Sequence, residues 1–137
     1  MNYRKLQMIL VFMTALLLTA CDPAVEFERV IENRSSYDIV ILSQDSLYPA
    51  YNADSGMVHA GATRVIQQFT SIGTVSKFSY CGVGEGEIRF LVPGFDSLEV
   101  TKDPTIHDDW NYCILEVTRF QGGSCRCSLI ISDATIE

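Results

Sequence analysis

The stretch 111–132, NYCILEVTRF-QGG-SCRCSLIIS, decides the fold, because it holds two β-type runs joined at a glycine pair. Cys113, Leu115 and Val117 make one apolar alternation; Cys125, Cys127, Leu129 and Ile131 make the other. Alternate side chains of a strand point to opposite faces, so a one-residue slip sends a whole apolar set to the wrong side. A two-residue Gly122-Gly123 turn would pair Phe120 with Cys125 and put the two sets on opposite faces. A three-residue loop pairs Phe120 with Ser124 and sets Val117 beside Cys127 and Leu115 beside Leu129, with a glycine in the left-handed region and a bulge. The expectation is a three-residue loop, with Cys113, Cys125 and Cys127 all facing inward.

That register limits the disulfides. Cys113 would lie opposite Ile131, roughly 13 Å from Cys127 at 3.3 Å per residue. A disulfide needs Cα atoms within about 7 Å. A bond inside Cys125-Arg126-Cys127 would be strained. At most one unstrained bridge is expected, joining Cys81 to one of Cys113, Cys125 and Cys127. The alternative is buried free thiols acting as small hydrophobes.

Working outward, Val25 to Glu32 alternates and slips by one at Val30-Ile31, as a bulged strand does. Strands are also expected at Tyr37 to Ser43, Arg64 to Thr70, Val75 to Cys81, Glu87 to Val92 and Asp96 to Lys102. Turn formers separate them, no helical stripe is visible, and residues 44–56 form a loop. Short strands with Gly, Pro and Asn turns imply an all-β fold, an antiparallel sandwich of about seven strands, immunoglobulin-like or related.

The N-terminus is of another kind. Arg4 and Lys5 precede an apolar run, Leu6 to Leu18, and the small residues Thr19 and Ala20 follow. This is the order of a secretory signal. The run is about 13 residues, roughly 20 Å as a helix, whereas a membrane span takes about 20 apolar residues. Leu18-Thr19-Ala20-Cys21 resembles the lipobox of bacterial lipoproteins, which implies cleavage before Cys21 and a diacylglycerol thioether on its sulfur. Each buried acyl CH₂ contributes about 0.8 kcal/mol, so two or three chains anchor stably where one does not. The expected organisation is a signal peptide at 1–20, a lipidated N-terminus and short tether at 21–24, and one domain at 25–137. The acyl lipid on Cys21 is the only prosthetic group expected, and the location is the bacterial cell envelope, on the outer membrane, facing either the periplasm or the surface.

The 137-residue chain carries 17 acids against 10 Lys and Arg, a net charge of −7 that becomes −9 once Arg4 and Lys5 leave with the signal. Such a charge disfavours nucleic acid, whose phosphates need Lys/Arg clusters. Catalysis is poorly supported: there are two histidines, His59 and His107, and neither lies in a nucleophile or metalloprotease motif. No enzyme is expected. Asp103, His107, Asp108 and Asp109 match no calcium-loop spacing. Gly82-Val83-Gly84-Glu85-Gly86 carries a phosphate-repelling Glu85, and Cys125-Arg126-Cys127 is too close-set for zinc, so no metal site is expected.

Tyr48, Tyr51, Trp110 and Tyr112 lie in or beside loops and are the candidate contacts for a protein or glycan ligand. Asp45-Ser46-Leu47 and Asp96-Ser97-Leu98 resemble the acceptor of the O-glycosylation system of Bacteroidetes-type bacteria, which implies modification at Ser46 and Ser97. Asn33-Arg34-Ser35 has the form of an N-glycosylation sequon. The pattern Asn33-x-Ser35-x-Tyr37-x-Ile39-x-Ile41 resembles the first hairpin of small uncharacterised lipoproteins of that bacterial group. The reading is a lipid-anchored envelope module that binds a protein or glycan; the alternative is a structural or envelope-maintenance lipoprotein without a soluble ligand.

Overall fold

The computed structural model describes residues 23–43, 56–84 and 88–137, together with Tyr3. Apart from Tyr3, the expected signal peptide lies outside the described residues, as do Cys21, Ser46, Tyr48 and Tyr51. Among the described residues no helix is long and apolar enough to cross a membrane.

Among the described residues, seven strands form two sheets. Strands β1 (Ala24–Asn33), β4 (Thr63–Ile72), β6 (Trp110–Val117) and β7 (Gly123–Ile131) form the larger, in the order β4-β1-β7-β6. Strands β2 (Ile39–Ser43), β3 (Met57–Val58) and β5 (Ile88–Leu91) form the smaller, in the order β3-β2-β5. The fold is an all-β sandwich. It is not wholly antiparallel, because β1 runs parallel to β7, from Val25↔Gly123 to Asn33↔Ile131. Such a pairing needs a long crossover; here the intervening chain, with the whole second sheet, supplies it.

β1 is central and buried between β4 and β7. Val25 and Phe27 point inward, and a bulge between Arg29 and Val30 buries both Val30 and Ile31. That is the slip visible in the sequence. Phe27 packs against Phe69 at 4.9 Å between ring centroids and against Phe78 at 6.1 Å. Ile39, Ile41, Val58 and Ile88 of the smaller sheet close the same core.

Asn33 ends β1 fully buried. Its amide donates to the carbonyls of Tyr37 (2.7 Å) and Val58 (2.9 Å), and its oxygen accepts from the Ser35 N–H (3.1 Å) and hydroxyl (2.6 Å). The sequon amide is therefore a structural clamp between the sheets, since a buried amide is stable only when so satisfied.

The closing hairpin differs from the expected register. Tyr112 pairs with Cys127 and Trp110 with Leu129, and a bulge at Leu115 brings Glu116 opposite Ser124 and Val117 opposite Gly123. The loop is five residues, 118–122, with Gln121 at φ +66°; the Thr118 N–H donates to the Gly122 carbonyl at 2.9 Å. A Cβ on Gly123 (φ +131°) would sit 2.1 Å from the Glu116 oxygen, so only glycine fits there. The reason for this register is burial of Trp110 and Tyr112, which removes more apolar area than the set Cys113, Leu115 and Val117 would. Cys113 is therefore exposed and free, opposite Arg126, while Cys125 and Cys127 are buried.

Two expected strands are absent. The segment expected to be a strand from Val75 to Cys81 begins with a 3₁₀ turn, Val75–Phe78, which tucks Phe78 under Phe27. Asp96 to Lys102 is consumed first by turns and then forms one bridge, Val100↔Ile136. Cys81 is bonded to Cys127, 46 residues away, with Cα atoms 5.6 Å apart. This bond ties an irregular segment to β7. Arg29 reinforces it by donating from Nε to the Cys81 carbonyl at 2.9 Å.

A candidate binding cleft beside β5

The local sequence after β5 turns the chain twice. Pro93-Gly94 forms a tight turn in which the Phe95 N–H donates to the Val92 carbonyl at 3.2 Å, with Gly94 at φ +83°. Proline followed by a left-handed glycine is what a type II turn requires. Asp96-Ser97 form the next, the Leu98 N–H donating to the Phe95 carbonyl at 3.1 Å. The chain then pairs away from β5: the Glu99 N–H donates to the Glu137 carbonyl (2.7 Å) and the Thr101 N–H to the Thr135 carbonyl (2.9 Å).

Between β5 and the 98–104 segment lies an open cleft of about 720 Å³. Val40, Phe90, Leu91, Leu98 and Val100 line it, with Arg89, Lys102, Asp96 and Glu99 at its rim. A second hollow of about 520 Å³, bounded by Ser36, Tyr37, Asp38 and Met57, shares Pro93 and Phe95 with the first. The Phe95 ring stands edge-on to Tyr37 at 5.3 Å and is 50% exposed; Leu91 is 51% exposed. Among the described residues β5 has a strand partner, β2, on one side only.

The carboxylates around this region fasten loops. Asp109 Oδ1 is 2.8 Å from the Lys102 ammonium, and Oδ2 accepts the Asp103 N–H at 2.8 Å. Burial acts to raise the Asp109 carboxyl, but the hydrogen bonds from Lys102 and Asp103 and the Lys102 charge hold it below the usual carboxylate range. Asp38 accepts the Ala60 N–H at 3.0 Å and contacts His59 Nδ1 at 3.3 Å; that backbone bond first, then His59, lowers its pKa. Asp103 accepts from the Thr105 N–H and hydroxyl. No cluster of three His, Cys, Asp or Glu able to hold a metal occurs among the described residues. His107 Nδ1 accepts the Cys81 N–H at 3.1 Å while its ring stacks on Tyr80 at 5.3 Å. It positions the disulfide segment.

Trp110 and Tyr112, the described members of the expected aromatic contact set, are turned toward the core. Trp110 is buried and donates from Nε1 to the Pro104 carbonyl at 2.9 Å. Tyr112 packs partly buried against the core and donates its hydroxyl to the Val75 carbonyl; burial first, then the neighbouring Cys125, pushes its phenol up to about 12. Burial likewise pushes the Cys125 thiol up. Ser97 is exposed in its turn, between Asp96 and Leu98 of the cleft lining. The structure brings together instead Leu91, Phe95, Met57 and Tyr37, none but Tyr37 singled out by the sequence. The signal for Phe95 was its place between two turn dipeptides, where an aromatic has little to pack under.

Compared with models of protein families, with curated protein sequences and with solved structures, the chain finds no match.

Proposed function

We propose that this chain is a lipid-anchored module of the bacterial cell envelope whose sandwich, immunoglobulin-like or related, binds an extended polypeptide segment in the cleft beside β5. Two sheets of four and three strands match the strand count of immunoglobulin constant-type sandwiches, which supports a related fold, while the strand order and the parallel β1–β7 pair differ from theirs. One observation carries the ligand class. The cleft pairs exposed apolar side chains, Leu91 and Phe95, with a sheet edge that among the described residues is partnered on one side only. An edge offers backbone hydrogen bonds to an added strand, while the pockets beside it select alternate side chains. Its volume lies within the range of about 300–1,000 Å³ common for ligand pockets.

Two experiments test the parts separately. Cys21→Ser in the full chain should abolish lipid modification and move the protein out of the membrane fraction; a variant that matures and fractionates like the parent ends the tether reading. Panning a displayed random-peptide library against the detergent-solubilised full chain should enrich peptides with alternating apolar residues. These should lose binding to Leu91→Asp and Phe95→Asp. Peptides that bind both variants as well as the parent would place the site elsewhere.

A further inference from the structure

We infer that the end of the sandwich formed by the 118–122 loop and the start of the 72–78 segment is a membrane-contact face, which seats Ile72, Val117 and Phe120 in the lipid interface. The inference rests on the lipid tether at Cys21 and adds to it an orientation and a set of protein groups. Three observations converge on this end.

The first is covalent reach. The Pro23 carbonyl accepts the Gly73 N–H at 2.8 Å, and Ala24 already pairs with Ile72, so the chain is fastened from residue 23 onward. Only Asp22 separates Pro23 from Cys21. Two residue steps span at most about 7 Å. A lipid on Cys21 therefore holds this end against the bilayer and leaves no tether long enough to turn the domain over.

The second is exposure. Among the described residues the large hydrophobics exposed beyond 55% are Tyr3 and Tyr80, and then Ile72 (71%), Phe120 (64%) and Val117 (56%). The last three share this end. Gly122 lies against the start of β1, where an added Cβ would be 2.4 Å from the Ala24 oxygen, and the Val75 N–H donates to the Gln121 carbonyl at 3.0 Å. Apolar groups exposed around one loop tip are unfavourable in water and favourable in an acyl boundary, where interfacial elements bury about 5–10 Å deep.

The third is charge. Residues 72–78 and 117–123 hold two cations, Lys77 and Arg119, with Asp22 and Glu116 the acids that flank them, in a chain with 17 acids. Cations beside an anionic leaflet each strengthen binding roughly fivefold. The arrangement also places the cleft on the far side. β1 runs ten residues from Ala24 to Asn33, or about 30 Å. Asn33 binds Tyr37, which touches Phe95.

The test reconstitutes the full-length lipidated chain into phosphatidylcholine vesicles containing phosphatidylglycerol and bromine-labelled acyl chains. Phe120→Trp and Ile72→Trp report this face, Phe95→Trp the opposite end, and buried Trp110 is the common background. Fluorescence at positions 120 and 72 should be quenched at least twofold, and at 95 scarcely at all. Lys77→Glu with Arg119→Glu in the Phe120→Trp protein should reduce quenching in the anionic vesicles and leave it unchanged in phosphatidylcholine alone. Equal quenching at 120 and 95, or none at either while the protein floats with the vesicles, overturns the face and leaves the tether standing. An intact mass lacking lipid on Cys21 removes the tether, and the face falls with it. If one tryptophan variant fails to fold, the other still decides.

Discussion

The two sheets of this sandwich are built to different rules. The four-stranded sheet has strands of eight to ten residues, a central β1 paired along nearly its whole length on both sides, and the Cys81–Cys127 bond against it. The three-stranded sheet has strands of two to five residues, and the chain beyond β5 pairs with the C-terminus instead of extending the sheet. Burial and cross-linking are concentrated in the first, whose edge strands β4 and β6 also expose Ile72 and Val117; in the second, Leu91 lies exposed beside the cleft on β5, an edge strand among the described residues. On the proposed function, stability rests on the first layer and recognition on the second, and substitutions can separate them.

The largest stability loss is expected from Cys81→Ala with Cys127→Ala. Opening a closed loop of 46 residues costs about 4 kcal/mol on a chain-entropy account, read as a lower urea midpoint. Asn33→Ala comes next, at roughly 2 kcal/mol, because it strands the Val58 carbonyl and the Ser35 N–H in a buried site, while the Tyr37 carbonyl keeps the Ser35 hydroxyl. A loss below about 1 kcal/mol there would mean the two sheets do not depend on that clamp.

Asp109→Asn should cost about 1 kcal/mol at neutral pH, since its pair with Lys102 is only partly sheltered. The sign of its pH dependence follows from its depressed pKa. The folded state holds this carboxylate more strongly ionised than the unfolded chain does, so the stabilisation is present above about pH 4 and is lost as pH falls through the folded value. Urea titrations from pH 7 to pH 2 should show a shallower acid limb in the variant. Smallest of all, Phe95→Asp should change stability by less than about 0.5 kcal/mol while abolishing peptide capture. A large destabilisation would make Phe95 a core residue of the smaller sheet and erase the contrast between layers.

Much of the larger sheet was legible in the residues. The slip at Val30-Ile31 is a bulge, and the turn cluster at Asn33 ends a strand. Turn chemistry and alternation are local, so they survive reading one segment at a time. The hairpin register was not legible, because two alternations overlap in 110–117: Cys113, Leu115 and Val117 against Trp110, Tyr112 and Ile114. Only the partner surface, with room for an indole beneath Pro104 and a phenol beside Cys125, selects between them. The cleft was hidden for a related reason. Leu98 and Val100 alternate like a strand, yet their backbone pairs with Thr135 to Glu137 instead of β5.

By itself the sequence determined that the described chain is β-rich and where most of its turns fall, and it offered Cys81 as the bridging cysteine beside the alternative of buried free thiols. These follow from side-chain period, glycine and proline, and chain reach, all properties of neighbours along the backbone. Tertiary structure alone decided that β1 and β7 run parallel, that Trp110 and Tyr112 face the core, and that Ile72, Val117 and Phe120 gather where the N-terminal lead emerges. Those choices weigh contacts between segments far apart in the chain, and the free energy of burying one face over another exists only once the partner face is in place.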